Sequence, residues 1–407
     1  MEETMKLRSV CGRLAVLAMA STATLAIAAH GVHAQETIKM GGIISVTGGG
    51  ASIGTVAEQA WKMAVDEINA GGGILGKKVE LVLADTATDP THAVSELRRL
   101  VENEKIQLLV GPATSQEAAS LVAVTNQKKI AQISTAASSQ FTPEFSPYHF
   151  SDSVTGLNQM RPNVDYALDV LKLKKLALIS DNGGMSKAAV NEIVDYMKSR
   201  GATPVIVQEF PFRAEDMTPQ LFSMRNAGAE AILLINSVGD DSRKLLENRA
   251  DIGWDVPVLA SQTMTNYAVG NAKIIGKEAF KGVYSTQFVG MTYCPSDPVD
   301  GSDFAKFSER AVKRVKDIER MGGAAALSPY YIQPLILAAA ANAAGTTDGE
   351  ALTKWLEQNA DKIKVQIGAL EASGKNHFLP APSSIKVVTK PYQVRKDGLV
   401  ERASCPG

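Results

Sequence analysis

Apolar runs of strand length alternate with amphipathic stretches of helix length twice along this chain. That double alternation restricts the fold more than any other feature. In the first round Ile38–Ile44, Val79–Ala84, Ile106–Val110 and Ile130–Ile133 read as strands. Between them Thr55–Ala70, Pro90–Asn103 and Ser115–Gln127 read as helices; Trp61, Ala64, Val65 and Ile68 share one stripe of the first, which Gly71-Gly72-Gly73 terminates. The second round places strands at Leu176–Ser180, Val205–Glu209, Ala231–Ile235 and Val256–Ala260, with helices at Lys187–Arg200, Thr218–Ala227 and Asp241–Ile252. A strand at Val283–Phe288, helices at Phe304–Ile318 and Pro329–Ala344, and an antiparallel end (Ile385–Thr389, then a turn at Lys396-Asp397-Gly398) follow. Alternation of this kind builds parallel sheets covered on both faces, so the expectation is an α/β protein of two doubly wound lobes. Ligands of such sheets bind beyond the carboxyl ends of the strands.

The chain of 407 residues is long enough for more than one core. Its start reads as a secretory signal peptide over residues 1–34. Lys6, Arg8 and Arg13 precede the apolar run Leu14–Ala29, and Val32-His33-Ala34 is a small-residue cleavage site before Gln35. Cys11 lies ahead of the apolar run, which argues against a lipoprotein. Export into the periplasm is therefore expected. There Cys294 and Cys405 would either form one disulfide or remain two free thiols, and an oxidising compartment favours the bond. The net charge of −1, without a basic run or helix, gives no footprint for nucleic acid. Ile332–Ala344 is apolar but too short to span a bilayer, and contains Pro334 and Asn342.

No catalytic constellation stands out: the chain lacks G-x-S-x-G, H-E-x-x-H and C-x-x-C patterns. Gly48-Gly49-Gly50-Ala51-Ser52-Ile53-Gly54 fails the dinucleotide fingerprint at Ile53 and is not followed by a phosphate-binding lysine. Neither an enzyme, a metal site nor a cofactor is expected. Three loops of the first round should instead converge at one sheet edge: Thr47–Gly54, Gly111–Ser115 and Ser134–Ser138. Helix N-termini there offer free N–H groups, and Ser115 and Ser138 add hydroxyls, a cradle suited to a carboxylate. Ser115 taken alone would also serve as a plain helix cap.

The segment AVDEINAGGGILGKKVELVLADTATDP, from Ala64 to Pro90, resembles the periplasmic leucine/isoleucine/valine-binding protein family, and the similarity runs from about Ile38 to Gly398. The resemblance implies the type I periplasmic binding fold, two Rossmann-like lobes that close on a hinge over a ligand. It implies delivery of that ligand to the inner-membrane permease of a branched-chain amino acid ABC importer, by a protein acting as a monomer. By position, lobe 1 would comprise residues 35–153 and 286–380, and lobe 2 residues 154–285 and 381–407. The crossings are expected near Phe150–Thr155, Tyr284–Phe288 and Leu379–Ser384.

Among the family's binding positions, Ser115 matches the serine that holds the ligand carboxylate. Ala136 matches a position whose backbone meets the ligand, and Ser138 one that contacts both carboxylate and ammonium. Other positions depart from the pattern. Ile53 replaces an aromatic residue, Met185 a tyrosine and Ser186 a glycine, while Gln262 stands where amino-acid binders carry a glutamate for the ammonium. Thr47 in the first loop and Asn236, heading the segment to Asp241, are further candidate ligand contacts; Phe150, Asn182 and Tyr330 are weaker ones. A buried ammonium without an anion is costly. Either Asp240 or Asp241 replaces that anion, or those aspartates simply serve the helix that follows and the ligand is a carboxylate without an amine, aliphatic or aromatic. A periplasmic ligand-sensing module for a membrane receptor is the alternative use of the same site.

Overall fold

The computed structural model describes residues 37–299 and 301–405; the expected signal peptide, residues 1–34, lies outside them. The first sheet takes β1 (Ile38–Ile44), β2 (Val79–Asp85), β3 (Leu108–Val110), β4 (Gln132–Ser134) and β5 (His149–Ser151) in the order β2-β1-β3-β4-β5. All its pairings are parallel, with Met40 opposite Leu81 on one side and Leu108 on the other. Helices α1 (Ala51–Ala70), α2 (Pro90–Glu102) and α3 (Ser115–Lys128) connect these strands. After α4 (Gly156–Asp165), a second sheet takes β6 (Leu176–Asp181), β7 (Ile206–Phe210), β8 (Ala231–Ile235), β9 (Val258–Ala260) and β10 (Val283–Phe288). Its helices are α5 (Gly184–Ser199), α6 (Thr218–Asn226), α7 (Gly239–Asp251) and α8 (Gln262–Ile275). Beyond β10 come a short strand β11 (Thr292–Tyr293), α9 (Asp303–Arg314), α10 (Ala324–Ala344), α11 (Gly349–Asn359), β12 (Ile385–Thr389) and β13 (Val400–Glu401). β12 adds to the second sheet antiparallel to β10, giving β12-β10-β9-β8-β6-β7.

The chain thus leaves the first sheet after β5 and returns to its side after β10. It leaves again between Phe378, which bridges to Ser151, and β12. The C-terminal tail is shared: Ala403 N–H donates to Val387 of β12 at 2.9 Å, while Leu399 joins the apolar cluster of Phe304 and Phe307 on α9. A disulfide joins Cys294 to Cys405.

The expectation did not include β5, α4, α8 or α11, and α9 ends at Arg314 rather than Ile318; three further differences bear on the site. α1 begins at Ala51, so most of the expected glycine loop is a 3-10 turn (Gly48–Gly50) running into helix. Gly54 serves close approach there: a Cβ on it would stand 1.9 Å from the Ser45 carbonyl oxygen at the end of β1. α10 begins at Ala324 rather than Pro329, because its first turns are buried from Ala324 onward. Its 21 residues are long and apolar enough to cross a membrane by length and composition, yet 89% of that apolar window is buried inside the protein. It packs along α1, with Trp61 edge-on to Tyr330 at 6.5 Å. α5 begins at Gly184, three residues early, which brings Met185 and Ser186 onto a helix instead of a turn.

Candidate functional site

In each sheet the strand order reverses once. The first reverses between β1 and β3, the second between β6 and β8. Loops leaving neighbouring strands in opposite directions open a crevice at such a point. A cavity of about 80 Å³ lies where the two crevices face each other. The first-sheet side contributes Ile53 from α1, Ala113, Thr114 and Ser115 around the start of α3, Thr135 and Ala137 after β4, and Asp152 and Ser153 after β5. The second side contributes Gln159 from α4, Met185 from α5, Ser237 after β8, and Gln262, Thr263, Asn266 and Tyr267 from α8. Phe288 at the end of β10, with Ala326, Pro329 and Tyr330 of α10, completes the wall.

Ser115 is not the cap of α3. Thr114 caps it, accepting from Glu117 N–H at 3.3 Å and donating its hydroxyl to the Glu117 carboxylate at 2.6 Å. Glu117 is buried and also receives the Ser45 hydroxyl at 3.0 Å and the Thr86 hydroxyl. Ser115 Oγ instead accepts two backbone N–H groups, from Ala137 at 3.1 Å and Ser138 at 3.2 Å. A hydroxyl has two acceptor sites and one proton, so with both acceptor sites filled the Ser115 proton is left to donate into the cavity.

On the second-sheet side the polar groups form a neutral amide chain. Gln262 N–H donates to Gln159 Oε1 at 3.3 Å, Gln262 Nε2 to Gln287 Oε1 at 2.7 Å, and Gln287 Nε2 to Asn266 Oδ1 at 2.8 Å. Tyr330 is buried and Tyr267 partly so, and loss of hydration raises both phenols above their ordinary range, so each stays a neutral hydroxyl.

Of the residues singled out in the sequence, Ile53, Ser115, Met185 and Gln262 meet in this cavity, with Tyr330. The others do not line it. Thr47 binds Asp85 through N–H (3.2 Å) and hydroxyl (2.6 Å) at the outer end of the first loop. Ala136 N–H is held by Ser134 Oγ at 3.1 Å, so its neighbours Thr135 and Ala137 face inward. Ser138 opens onto a separate groove beside Gln140 and Lys187. Asn236 is sealed by Val238 O (2.6 Å) and Ser242 Oγ (2.9 Å), and Ser237 takes the lining position. Asp240 binds Ser52 Oγ across the lip at 3.1 Å, and Asp241 is buried beneath Arg213 N–H; both sit in the first turn of α7 and neither lines the cavity. Phe150 stacks on His377, and Asn182 accepts from Phe212 N–H. Sequence reasoning did not single out Thr135, Asp152, Gln159, Tyr267 or Phe288. Asp152 follows a three-residue strand directly, and an acid at that edge is the one signal that could have found it.

Residues 37–389 match the periplasmic binding protein family. The chain belongs to that family. A similar protein is the Leu/Ile/Val-binding protein homolog 7 of Brucella melitensis, 24% identical over 377 residues that cover 86% of each chain. Among solved structures, the branched-chain amino acid transporter substrate binding protein LivJ from Streptococcus pneumoniae, in complex with isoleucine, superposes with a TM-score of 0.71. It is 22% identical and covers 90% of this chain and 98% of its own. A solute binding protein of an ABC transporter from Rhodopseudomonas palustris, in complex with 3,4-dihydroxybenzoic acid, gives 0.74 at 21% identity, covering 89% and 95%. The fold common to them is the type I periplasmic binding fold.

In this periplasmic binding protein the two rims touch. Arg213 Nη1 donates to Gly49 O at 2.7 Å, Ser52 to Asp240, and Ser139 Oγ to Glu192 at 2.6 Å. Gly184 lies in this contact: a Cβ there would lie 3.2 Å from Ser115 Cβ and 3.3 Å from Gln116 N. Gly184→Leu is therefore expected to wedge the rims apart and weaken ligand binding at least about tenfold, ~1.4 kcal/mol, while leaving unfolding in urea within about 1 kcal/mol. Titration calorimetry beside an equilibrium melt checks this; unchanged affinity would mean that the rims are not part of the binding state.

Proposed function

We propose that the protein is the solute-binding component of a branched-chain-amino-acid-type ABC importer. It is exported by cleavage of residues 1–34, acts as a periplasmic monomer and holds one small carboxylate-bearing ligand between two lobes for delivery to the permease. The lobes divide as residues 35–153 with 286–380, and 154–285 with 381–407. The segments near Phe150–Thr155, Tyr284–Phe288 and Leu379–Ser384 act as the hinge, and ligand shifts the population toward the closed form. The protein carries out no chemistry on what it binds.

The observation that carries the reading is the Ser115 hydroxyl at the first turn of α3. Its acceptor sites are filled by Ala137 and Ser138 N–H, and its proton is left to meet a carboxylate beside a helix N-terminus. Ile53, Met185, Phe288 and Tyr267 supply an apolar and aromatic wall for the body of the ligand, aliphatic or aromatic.

Thermal melts of the mature protein against amino acids and against amine-free aliphatic and aromatic carboxylates test the reading, because a ligand of the native state raises the melting temperature. Shifts with neither panel would defeat it. Ser115→Ala is expected to weaken the ligand so found by about 1–3 kcal/mol in calorimetry. An unchanged dissociation constant would remove Ser115 from the site.

A further inference from the structure

Asp152 is fully buried, yet it lines the ligand cavity. Its Oδ2 accepts from Gln333 Nε2 at 2.6 Å, and no protein group reaches its Oδ1. The Gln333 amide cannot turn round, because its own oxygen accepts the Trp61 indole N–H at 2.9 Å. The core tryptophan thereby holds a donor on one oxygen of Asp152 and leaves the other for the cavity. The Thr135 side chain also lines the cavity, with its hydroxyl toward the Tyr330 phenol. A polar atom buried without a partner is costly, so Asp152 Oδ1 at the cavity wall marks a place where something else completes the bond.

Charge indicates what that is. No Lys, Arg, His or Glu lines the cavity among the described residues, and the facing side is the neutral chain of Gln159, Gln262 and Asn266. Asp152 is the one carboxyl available there. Burial raises its carboxyl well above the usual carboxylate range, offset only in part by the Gln333 amide and its own backbone N–H, and a donor on the ligand at Oδ1 would favour the charged, accepting form again. We propose that Asp152 is a specificity-determining residue that accepts a hydrogen bond from a donor group on the ligand, so that the ligand is an acid carrying an ammonium or hydroxyl as well as its carboxylate. This rests on the reading of the cavity as a carboxylate site and adds the second functional group.

Matched pairs test it: leucine against 4-methylpentanoate, and 4-hydroxybenzoate against benzoate, titrated by calorimetry into the protein and into Asp152→Asn. In Asp152→Asn the Gln333 amide still claims the side-chain oxygen, which turns an NH₂ toward the cavity in place of an acceptor. The protein is expected to prefer the donor-bearing member of one pair at least tenfold, and Asp152→Asn to abolish that preference. The pair that responds tells ammonium from hydroxyl. Equal affinity for both members of every pair that binds, or the same preference in Asp152→Asn, would overturn the role of Asp152 and leave the carboxylate site standing. Failure of all four acids to bind would overturn the carboxylate reading itself, and this inference with it. Circular dichroism checks the fold of the variant, with Asp152→Ser as the second substitution should Asn disturb it.

Discussion

Trp61→Ala is expected to lower the unfolding free energy by about 3–5 kcal/mol, the range for deleting a large buried aromatic side chain. Trp61, on α1, has no exposed surface and sits against α10 and the floor of the first sheet. The floor cannot rise to fill the space. Gly42 and Gly111 approach the indole so closely that a Cβ on either would come within 3.0 Å of the ring. Tyr330 closes the remaining edge. The cavity left behind would therefore persist rather than collapse, which places the cost toward the upper end. The loss also reaches the binding site, because the indole N–H orients Gln333 and Gln333 orients Asp152. Equilibrium unfolding in urea should show the midpoint fall with the slope little changed. A change below about 1 kcal/mol would mean that α1 and α10 repack into the space.

Removing the disulfide, Cys294→Ser with Cys405→Ser, is expected to cost about 2–4 kcal/mol. The cross-link spans a sequence separation of 111, and closing so long a loop in the unfolded chain has a large entropic cost. The native tail is held by other contacts as well. Arg402 Nε donates to Thr292 Oγ1 at 2.7 Å, and Arg395 lies over the Tyr293 ring at 4.1 Å. Arg395 also binds Asp297 O and Pro298 O, each at 3.1 Å. The folded structure should thus change little, and most of the effect should come from the freed unfolded state. The bond lies outside the ligand cavity, so affinity should stay within about twofold while stability falls. Denaturation of the oxidised protein, the reduced protein and the double variant separates the two; equal stability of all three would refute the estimate.

Much of the architecture follows from local periodicity. Buried parallel strands are near-continuous apolar runs, and the helices between them carry one apolar stripe, so Ile38–Ile44, Val79–Asp85 and Ala231–Ile235 are legible within a residue of their bounds. The helix starts that follow β1, β3, β6 and β9 carry Ile53, Ser115, Met185 and Gln262, four residues placed by sequence that the fold brings to one cavity. Elements whose bounds depend on burial by remote parts of the chain were less legible. α10 starts early because its first turns are covered, and α1 starts early because Gly54 lets it press against Ser45.

The chemistry of the cavity wall was decided by tertiary structure. Sequence alone determined two wound sheets, a rim rich in small polar residues and the neutral amide at Gln262. Which rim residues face inward depended on partners far along the chain. Ala136 and Asn236 turn away because Ser134, Val238 and Ser242 claim their polar groups. Asp152 turns in because Gln333 meets it across a separation of 181 residues, and Trp61 meets Gln333 across 272. A hydrogen bond between residues so distant leaves no period or spacing in the sequence. It exists only once the two sheets and α10 have packed, since packing is what brings the partners within bonding distance and excludes the water that would otherwise compete for them.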